Sequence, residues 1–302
     1  MSEALSGVAA AQPAGRSAGG SRGASPGWRR TAPLLLTAPL LVFMLAFYAV
    51  PVLAMLMRSV AEPAWTLANY AALPSDGVFL KVFATTLETA LIVTLAALLL
   101  GYPVALALVG TPRWAPVILI LVLLPFWTSV LVRSYAWMVL LGRHGVINEA
   151  LLAAGLLDRP LRILNTPLAT DIAMTHILLP YMILPIANTL RQIDPALARA
   201  AAGLGATPWQ SFRQIVLPLS MPGVAAGMLL VFVLALGFYI TPAMVGGPRE
   251  ITLPMLIAQQ VEQLNWAYAA TLSAVLLATA LALIASFQCL PGVGAAFRMS
   301  AR

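Results

Sequence analysis

The chain has 302 residues, of which 61% are hydrophobic and 9% charged, and its mean hydropathy is +0.92. A soluble domain carries about 25% charged residues, so this composition excludes a water-soluble globular protein and indicates that lipid is the solvent. The net charge of +7 does not indicate nucleic-acid binding, because the arginines are scattered singly between apolar blocks. That distribution is typical of loops that face an anionic membrane surface.

The first 30 residues are rich in Ala, Gly, Ser and Pro and have no apolar periodicity. They are predicted to form a disordered cytoplasmic tail. The charge-free stretch from Thr31 to Met57 follows. It is too long for the core of a cleavable signal peptide, so we predict that it stays in place as the first membrane span.

Five further apolar segments are long enough to cross a bilayer, which takes about 20 residues. Three are predicted as single helices: Thr89–Pro112, beginning near Val82; Trp114–Leu141, passing through Arg133; and Ile172–Leu190. Gln214–Pro248 and Gln263–Phe297 are too long for one straight helix, so each should hold one helix plus interfacial or re-entrant backbone. The sequence therefore predicts an all-α polytopic membrane protein with six transmembrane helices.

The orientation of the spans is predicted from lysine and arginine in the flanking segments. With the N-terminus inside, ten of these residues lie on the cytoplasmic side and six outside. Both termini are therefore predicted to be cytoplasmic. The long polar segment Arg191–Arg213 then faces the cytoplasm, and the segment from Gly142 to about Thr170 faces outward.

The sequence carries no recognisable catalytic or metal-binding arrangement. Lys81 is the single lysine and is not part of a Gly-Lys-Ser/Thr sequence, so the chain has no P-loop for ATP. His144 and His176 do not form a metal-spacing pair, and Cys289 is the single cysteine, which we interpret as a packing residue. We predict no enzyme activity, no catalytic residue, no metal and no cofactor in this chain.

The cytoplasmic segment contains two helix starts of the same design. Asp194-Pro195 and Thr207-Pro208 each place a capping oxygen before a proline at the first helical position. Gly203 and Gly205 can end the alanine-rich helix between them. The prediction is a short helix, a glycine turn and a second short helix. On these grounds alone the segment could equally be a surface hairpin that only joins two spans.

Ala200-Ala201, Gly205, Ile215 and Leu217-Pro218 have the spacing of a known motif. The segment resembles the EAA loop of the permeases of binding-protein-dependent ABC importers. Arg199 stands where that family has Glu, so the salt bridge of that Glu does not carry over, and a more acidic partner surface is expected. The resemblance implies an ATPase-coupling loop, residues 191–218, whose coupling residues are Arg199, Ala200, Ala201, Gly205, Ala206, Thr207, Ile215, Leu217 and Pro218.

Four other stretches resemble the spermidine/putrescine branch of this family: residues 65–70, 124–142, 145–148 and 237–248. The resemblance implies a type I (MetI-like) importer fold, with a transmembrane permease domain at residues 31–298, in a bacterial inner membrane. The implied partners are membrane lipid, a second, related but non-identical permease subunit, an external solute-binding protein, and two ATPase subunits that hold ATP and Mg. The implied solute is a polyamine, with amino-phosphonates, opines or amino acids as alternatives.

Ionisable residues inside spans usually face a cavity or a partner, so four of them need an explanation. Arg133, with Tyr135 and Trp137 beside it, is a candidate for the pathway or its gate; alternatively it reaches the interface or pairs with Glu88 or Asp171. Glu88 and Asp171 are near predicted span ends, which favours an interfacial position over solute binding. His176 is interpreted as a hydrogen-bonded packing residue.

The fifth apolar segment is interrupted by prolines and glycines, which bend helices at places that line cavities. Phe238 and Tyr239 lie beside this predicted break and are candidates for the gate, with ordinary aromatic packing as the alternative. Gly223 and Gly227 indicate close helix packing. An ion-coupled secondary transporter would need midplane carboxylates and an inverted repeat, and a membrane enzyme would need a polar cluster; neither pattern is visible.

Overall fold

A computed structural model describes residues 37–62, 65–248 and 250–289 of the chain. All regular structure in these residues is helical. The predicted tail of residues 1–30, the start of the first span before Thr37 and the end of the last predicted span beyond Cys289 lie outside the described residues. The chain divides into two compact units between Val52 and Leu53, and each is described by itself.

The first unit contains the N-terminal part of helix α1, Thr37–Ala61. Its side chains are apolar and exposed, as lipid-facing side chains would be, and the rings of Phe43 and Phe47 stack with centroids 4.8 Å apart. A π-turn over Leu45–Ala49 comes just before Pro51. Because Pro51 has no amide hydrogen to donate, a widened turn at this place adjusts the helix to the missing bond.

The second unit begins within α1 and contains eleven further helices in its described part. They are α2 (Ala68–Ala72), α3 (Gly77–Gly110), α4 (Ala115–Leu123), α5 (Val130–Leu140), α6 (Val146–Ala153), α7 (Pro167–Gln192), α8 (Pro195–Gly203), α9 (Pro208–Leu236), α10 (Ile240–Val245), α11 (Leu253–Glu262) and α12 (Trp266–Cys289). Short 3-10 turns extend α2 to Ser75 and α4 to Trp127.

The core of this unit is the contact between α3, α7 and α9, where Met182, Ile183 and Ile186 are fully buried. Glycines let the helix backbones approach closely. A Cβ on Gly227 would lie 2.9 Å from the sulfur of Met182, and one on Gly223 would lie 2.8 Å from the carbonyl oxygen of Pro185. The prediction that these two glycines serve helix packing is confirmed.

The N-terminus of α3 is fixed by the side chain of Asp76. One carboxylate oxygen accepts hydrogen bonds from the amides of Val78 (2.9 Å) and Phe79 (3.2 Å), which satisfies donors that a helix start leaves free. The other accepts a 2.6 Å hydrogen bond from the hydroxyl of Tyr268 on α12. The Tyr268 hydroxyl, followed by the two amides, holds the pKa of Asp76 below its ordinary value.

Five of the described helices are long and apolar enough to cross a membrane: α1, α3, α7, α9 and α12. The remaining predicted span, Trp114–Leu141, is third in chain order. The prediction that it is a single straight helix is wrong. Its two parts, Ala115–Trp127 and Val130–Leu140, meet at an angle of 102°. Thr128 is extended, and Ser129 starts a new helix by accepting a 3.3 Å hydrogen bond from the amide of Leu131. The count of six holds if this bent pair is one span.

Two other boundaries differ from the prediction. The second short helix expected after Thr207 continues through a π-turn at Phe212–Val216 into the membrane helix, so it is the first part of α9. Ahead of the last span lies α11, which the apolar pattern did not separate from its surroundings. The amide of Leu253 at its start donates a 2.7 Å hydrogen bond to the hydroxyl of Thr86, which attaches α11 to α3.

Candidate functional site

The segment between α7 and α9 has the predicted helix–turn–helix form. Asp194 caps α8 by accepting a 2.8 Å hydrogen bond from the amide of Ala196. The helix ends at Gly203, and Gly205 takes a left-handed conformation with φ +87°. The amide of Ala206 then donates to the carbonyl of Ala201 at 3.0 Å, which closes the turn. The required conformation therefore lies at Gly205 and not at Gly203.

The start of α9 is fixed by a reciprocal pair of hydrogen bonds between Thr207 and Gln210. The Thr207 hydroxyl accepts from the amide of Gln210 at 3.3 Å, and the Gln210 side chain accepts from the amide of Thr207 at 2.8 Å. Pro208 occupies the first helical position. Because both ends of the turn are capped, the relative direction of α8 and α9 is set locally.

Aromatic contacts join this segment to the helical core. The ring of Trp209 stacks on Phe212 (5.5 Å), and Phe212 meets the edge of Tyr102 on α3 at 6.1 Å. The Tyr102 hydroxyl is 2.9 Å from the hydroxyl of Ser220 on α9. These contacts connect the start of α9 to α3, and α3 to α9 again further along.

Of the nine residues predicted for coupling, six lie between Arg199 and Thr207, and the other three, Ile215, Leu217 and Pro218, lie within α9. Five are exposed and four are half-buried; the exposed ones are Arg199, Ala200, Gly205, Thr207 and Pro218, and the others are Ala201, Ala206, Ile215 and Leu217.

Sequence reasoning missed two apolar side chains at the tip of the turn. Leu204 is 91% exposed and Trp209 is 66% exposed, and both are more exposed than Leu197 on α8, at 46%. A large apolar side chain that nothing in the chain covers often marks a protein contact. The signal was present, because Leu204 stands between Gly203 and the motif's Gly205, where the chain was expected to turn.

The broken spans come together through α5 and α10. Ser134 and Thr241 are fully buried, and their hydroxyl oxygens are 2.7 Å apart. On the same helix as Ser134, the Nε of Arg133 is buried without a hydrogen-bond partner, and Tyr135 is exposed. Among the described residues the one ion pair within 4.0 Å joins Arg58 and Glu62 (3.6 Å). Arg133 is thus not paired with Glu88 or Asp171, and that alternative is wrong.

Trp137 and His176 are brought into contact between α5 and α7. The indole Nε1 of Trp137 donates to the Nδ1 of His176 at 3.2 Å, and the rings meet edge-on with centroids 5.5 Å apart. His176 is hydrogen-bonded as predicted. It is exposed in this chain and not packed in the core, and it lines an otherwise apolar cleft of about 370 Å³ between α3, α4 and α7.

The carboxylates of Glu88 and Asp171 are close enough to influence each other electrostatically. Glu88 is exposed on α3, 11 residues after the helix starts at Gly77. Glu88 is therefore about three turns inside the helix, whereas the sequence predicted it near the end of a span. Asp171 is half-buried, and its Oδ1 has no hydrogen-bond partner. Glu88 and Glu250 both lie within electrostatic range of Asp171. The sequence did not indicate that Glu250 belongs to this group of acids.

The predicted break near Phe238 and Tyr239 is confirmed, because α9 ends at Leu236 and α10 begins at Ile240. Phe238 is half-buried and packs against the core of α3, α7 and α9, which is the packing alternative. Tyr239 is 43% exposed and is the aromatic side chain that the break leaves free to contact a solute or partner.

Residues 29–288 match the family of binding-protein-dependent transport system inner membrane components. The chain belongs to this family. The permease is 38% identical over 217 residues to the spermidine/putrescine transport system permease protein PotB of Escherichia coli (strain K12), covering 71% of this chain and 78% of that protein. The protein of the same name from Haemophilus influenzae (strain ATCC 51907 / DSM 11121 / KW20 / Rd) is 37% identical over 210 residues, covering 69% and 73%.

Solved structures agree on the fold. A chain of a bacterial ABC transporter involved in import of the acidic polysaccharide alginate superimposes with a TM-score of 0.75 at 18% identity, covering 86% of the permease and 95% of that chain. A second structure, of the alginate transporter in complex with a pentasaccharide-bound periplasmic protein, gives a TM-score of 0.70 at 20% identity, covering 86% and 94%. The permease therefore has the all-α, type I fold of ABC importer permeases and is a multi-pass inner-membrane protein.

Proposed function

We propose that this permease forms half of the path by which a polyamine crosses the inner membrane, driven by ATPase subunits that dock on residues 191–218. The observation that carries the proposal is the capped turn around Gly205, which presents Leu204 outside the membrane helices with 91% of its side chain exposed. A groove on a separate subunit would cover that side chain. The site residues implied by the resemblance extend from Arg199 on α8, across this turn, to Pro218 on α9.

The energy of ATP hydrolysis would enter through this loop and reach the membrane helices by contact. The Trp209–Phe212–Tyr102 stack connects the loop to α3, and the Tyr102–Ser220 hydrogen bond connects α3 back to α9. Closure of two ATPase subunits, each holding ATP and Mg²⁺, would therefore tilt α3 and α9 together. In the proposed topology both chain termini are cytoplasmic and residues 142–166 face outward.

Arg199 would provide the charge of the docking contact. It is exposed, and no ion pair within the described ranges involves it. Because it replaces the motif's Glu, the complementary position on the ATPase of this importer should be acidic. The exposed Arg191 at the end of α7 adds to the same positive field.

A polyamine is the solute that the relatives and the local charge favour. The similar proteins are named for spermidine and putrescine. Glu88, Asp171 and Glu250 gather negative charge near one end of α7, which would attract an amine cation without binding it tightly. A second, related permease subunit would complete the path, and an external binding protein would deliver the solute and set most of its specificity.

The test is reconstitution of the permease with its partner subunits in liposomes loaded with ATP. We expect uptake of radiolabelled spermidine or putrescine that requires both the binding protein and ATP. Purification should also recover an ATPase subunit with the chain. Uptake that persists without ATP but follows a proton or sodium gradient would overturn the proposal, as would a chain that never co-purifies with an ATPase.

A further inference from the structure

Three arginines surround one concavity in the segment that joins α5 to α7. Arg143, Arg159 and Arg162, together with Pro160 and Leu161, line a hollow of about 460 Å³. A second hollow of about 360 Å³ shares Arg143, Leu161 and Arg162 with the first. No acidic residue lines either hollow. We call the first hollow, with its three arginines, the arginine cup.

Within the part of the chain that the structure describes, no ion pair neutralises the charge of the arginine cup. Asp158 precedes Arg159 directly, and Glu149 lies on the nearby α6, yet neither forms an ion pair within 4.0 Å with an arginine of the cup in the described structure. All three arginines are exposed. Three like charges around one hollow repel each other, and an anion in the hollow would relieve that repulsion.

The backbone that carries the arginines is held in one conformation. Asn148 is 1% exposed, and its side-chain amide donates to the carbonyls of Gly142 (2.9 Å) and Leu161 (3.0 Å) while accepting from the amide of Leu161 (2.8 Å). These bonds attach the irregular segment of residues 159–162 to the end of α5. The guanidinium groups are therefore presented by a fixed frame and not by a free loop.

The same frame is attached to the broken part of the fifth span. The amide of Asn165 donates to the carbonyl of Val245 at the end of α10 (3.1 Å), and Gly247 packs so closely on Asn165 that a side chain there would collide with its backbone. A force on the arginine cup would thus reach α10, and through the Thr241–Ser134 contact it would reach α5.

We propose that the arginine cup is the docking point for carboxylates of the external binding protein of this importer. The inference rests on the proposed function, in which residues 142–166 face outward. Planar guanidinium groups bind carboxylates through paired, charge-assisted hydrogen bonds. Leu161, 41% exposed between Arg159 and Arg162, adds apolar surface to the contact, a combination typical of protein interfaces.

We favour a folded protein over lipid headgroups as the source of the anionic groups that bind in the arginine cup. Fluid headgroups rearrange around any basic segment, flexible or rigid, so a rigid frame gives them little advantage. A partner of fixed geometry gains affinity when the arginines are already in place, because less conformational freedom is lost on binding. Attachment of the frame to α10 also gives a docked protein a route to the broken spans.

The experiment uses the assembled importer in nanodiscs of neutral phosphatidylcholine, with the spermidine-loaded binding protein as the probe. The triple variant R143E/R159E/R162E should raise the Kd for the binding protein by at least about tenfold at low salt and flatten its salt dependence. Stimulation of ATPase activity by the binding protein should fall, while basal ATPase activity stays unchanged. R113E is the matched control, because Arg113 is also exposed but lies on the cytoplasmic side in the proposed topology.

An unchanged Kd in the triple variant, or in R143Q/R159Q/R162Q should the charge reversal fail to insert, would overturn the inference. If the variant with the unchanged Kd also loses phosphatidylglycerol from mixed-lipid nanodiscs, the arginine cup is a headgroup site. Failure of the proposed function looks different, since the wild-type chain itself would then bind neither the binding protein nor an ATPase.

Discussion

The hydroxyl oxygens of Ser134 and Thr241 lie 2.7 Å apart in a fully buried contact between α5 and α10. Each of these helices follows a break in an apolar segment: α5 follows the bend at Thr128, and α10 follows Gly237. The hydrogen bond therefore ties two irregular parts of the fold to each other. Irregular backbone inside a membrane is tolerated where it is buried in protein or lines a cavity, and this buried contact meets that condition for both breaks.

Replacing both partners of this pair should cost less than the two single replacements added together. In S134A the hydroxyl of Thr241 is left buried without its partner, which we expect to lower the free energy of unfolding by about 1–3 kcal/mol. The double variant S134A/T241V should lose less than the sum of the single variants, because no unpaired hydroxyl remains. Thermal unfolding of the purified permease measures both. Strict additivity would show that the two hydroxyls are not coupled.

At the coupling loop, substitution of Gly205 should impair transport, whereas substitution of Gly203 should not. Gly205 has φ +87°, a conformation that a β-branched residue adopts only with strain, although there is free space around it. We expect G205V to distort the turn and reduce ATP-driven uptake by about tenfold or more without loss of the protein from the membrane. Gly203 is helical and equally open, so G203A is the matched control and should keep full uptake.

An additional measurement separates loss of coupling from loss of folding. The amount of ATPase that co-purifies with G205V should fall in parallel with uptake, while the thermal unfolding temperature of the isolated permease changes little. If G205V keeps both its ATPase and its uptake, the turn is not where energy enters.

The hydrogen bond between Tyr268 and Asp76 predicts a specific dependence of stability on pH. Because the pKa of Asp76 is lowered in the folded protein, its contribution to stability is present above the unfolded pKa of about 3.9 and is lost as the pH falls through the folded value. Y268F removes the largest cause of the lowered pKa. We expect Y268F to be less stable than the wild type at pH 7, with the difference shrinking as the pH drops below about 4.

Tyr70 offers a matched control, because its hydroxyl is 2.6 Å from the hydroxyl of Ser59 and faces no carboxylate in that bond. Y70F should therefore lower stability by a similar amount at every pH. Thermal unfolding between pH 3 and pH 7 compares the two variants. Parallel pH curves for Y268F and the wild type would contradict the assigned cause.

Much of this fold could be predicted because it depends on local signals. Apolar length predicted the spans, and Asp194-Pro195 and Thr207-Pro208 predicted helix starts that the structure shows with their capping bonds. The bend after Trp127 was missed because apolarity says how long a segment is and not whether it is straight. The bend is formed by the extended backbone of Thr128 and the helix cap of Ser129. The residues on both sides of these two are equally compatible with a continuous helix.

The grouping of residues from distant parts of the chain could not be predicted in the same way. Ser134 and Thr241 are 107 residues apart, and Asn148 joins Leu161 to Gly142 through three hydrogen bonds that no spacing rule describes. The in-span acids were recognised singly, but their proximity to Glu250 depends on how α3 and α7 pack. Such contacts follow from the tertiary arrangement of the helices, which one sequence does not specify.

The acids near the start of α7 should affect transport of a cationic solute more than stability. In the proposed function, Glu88 and Asp171 attract the amine groups of the solute, so neutralising either weakens an electrostatic contact worth about 1 kcal/mol. We expect E88Q and D171N each to raise the KM for spermidine uptake by about fivefold, since 1.4 kcal/mol is tenfold. E149Q, at an exposed carboxylate on α6 outside the spans, should leave KM unchanged. The decisive comparison repeats uptake at increasing salt: the penalty in E88Q and D171N should shrink as salt screens the wild-type attraction, whereas a purely structural defect would keep its size at every salt concentration.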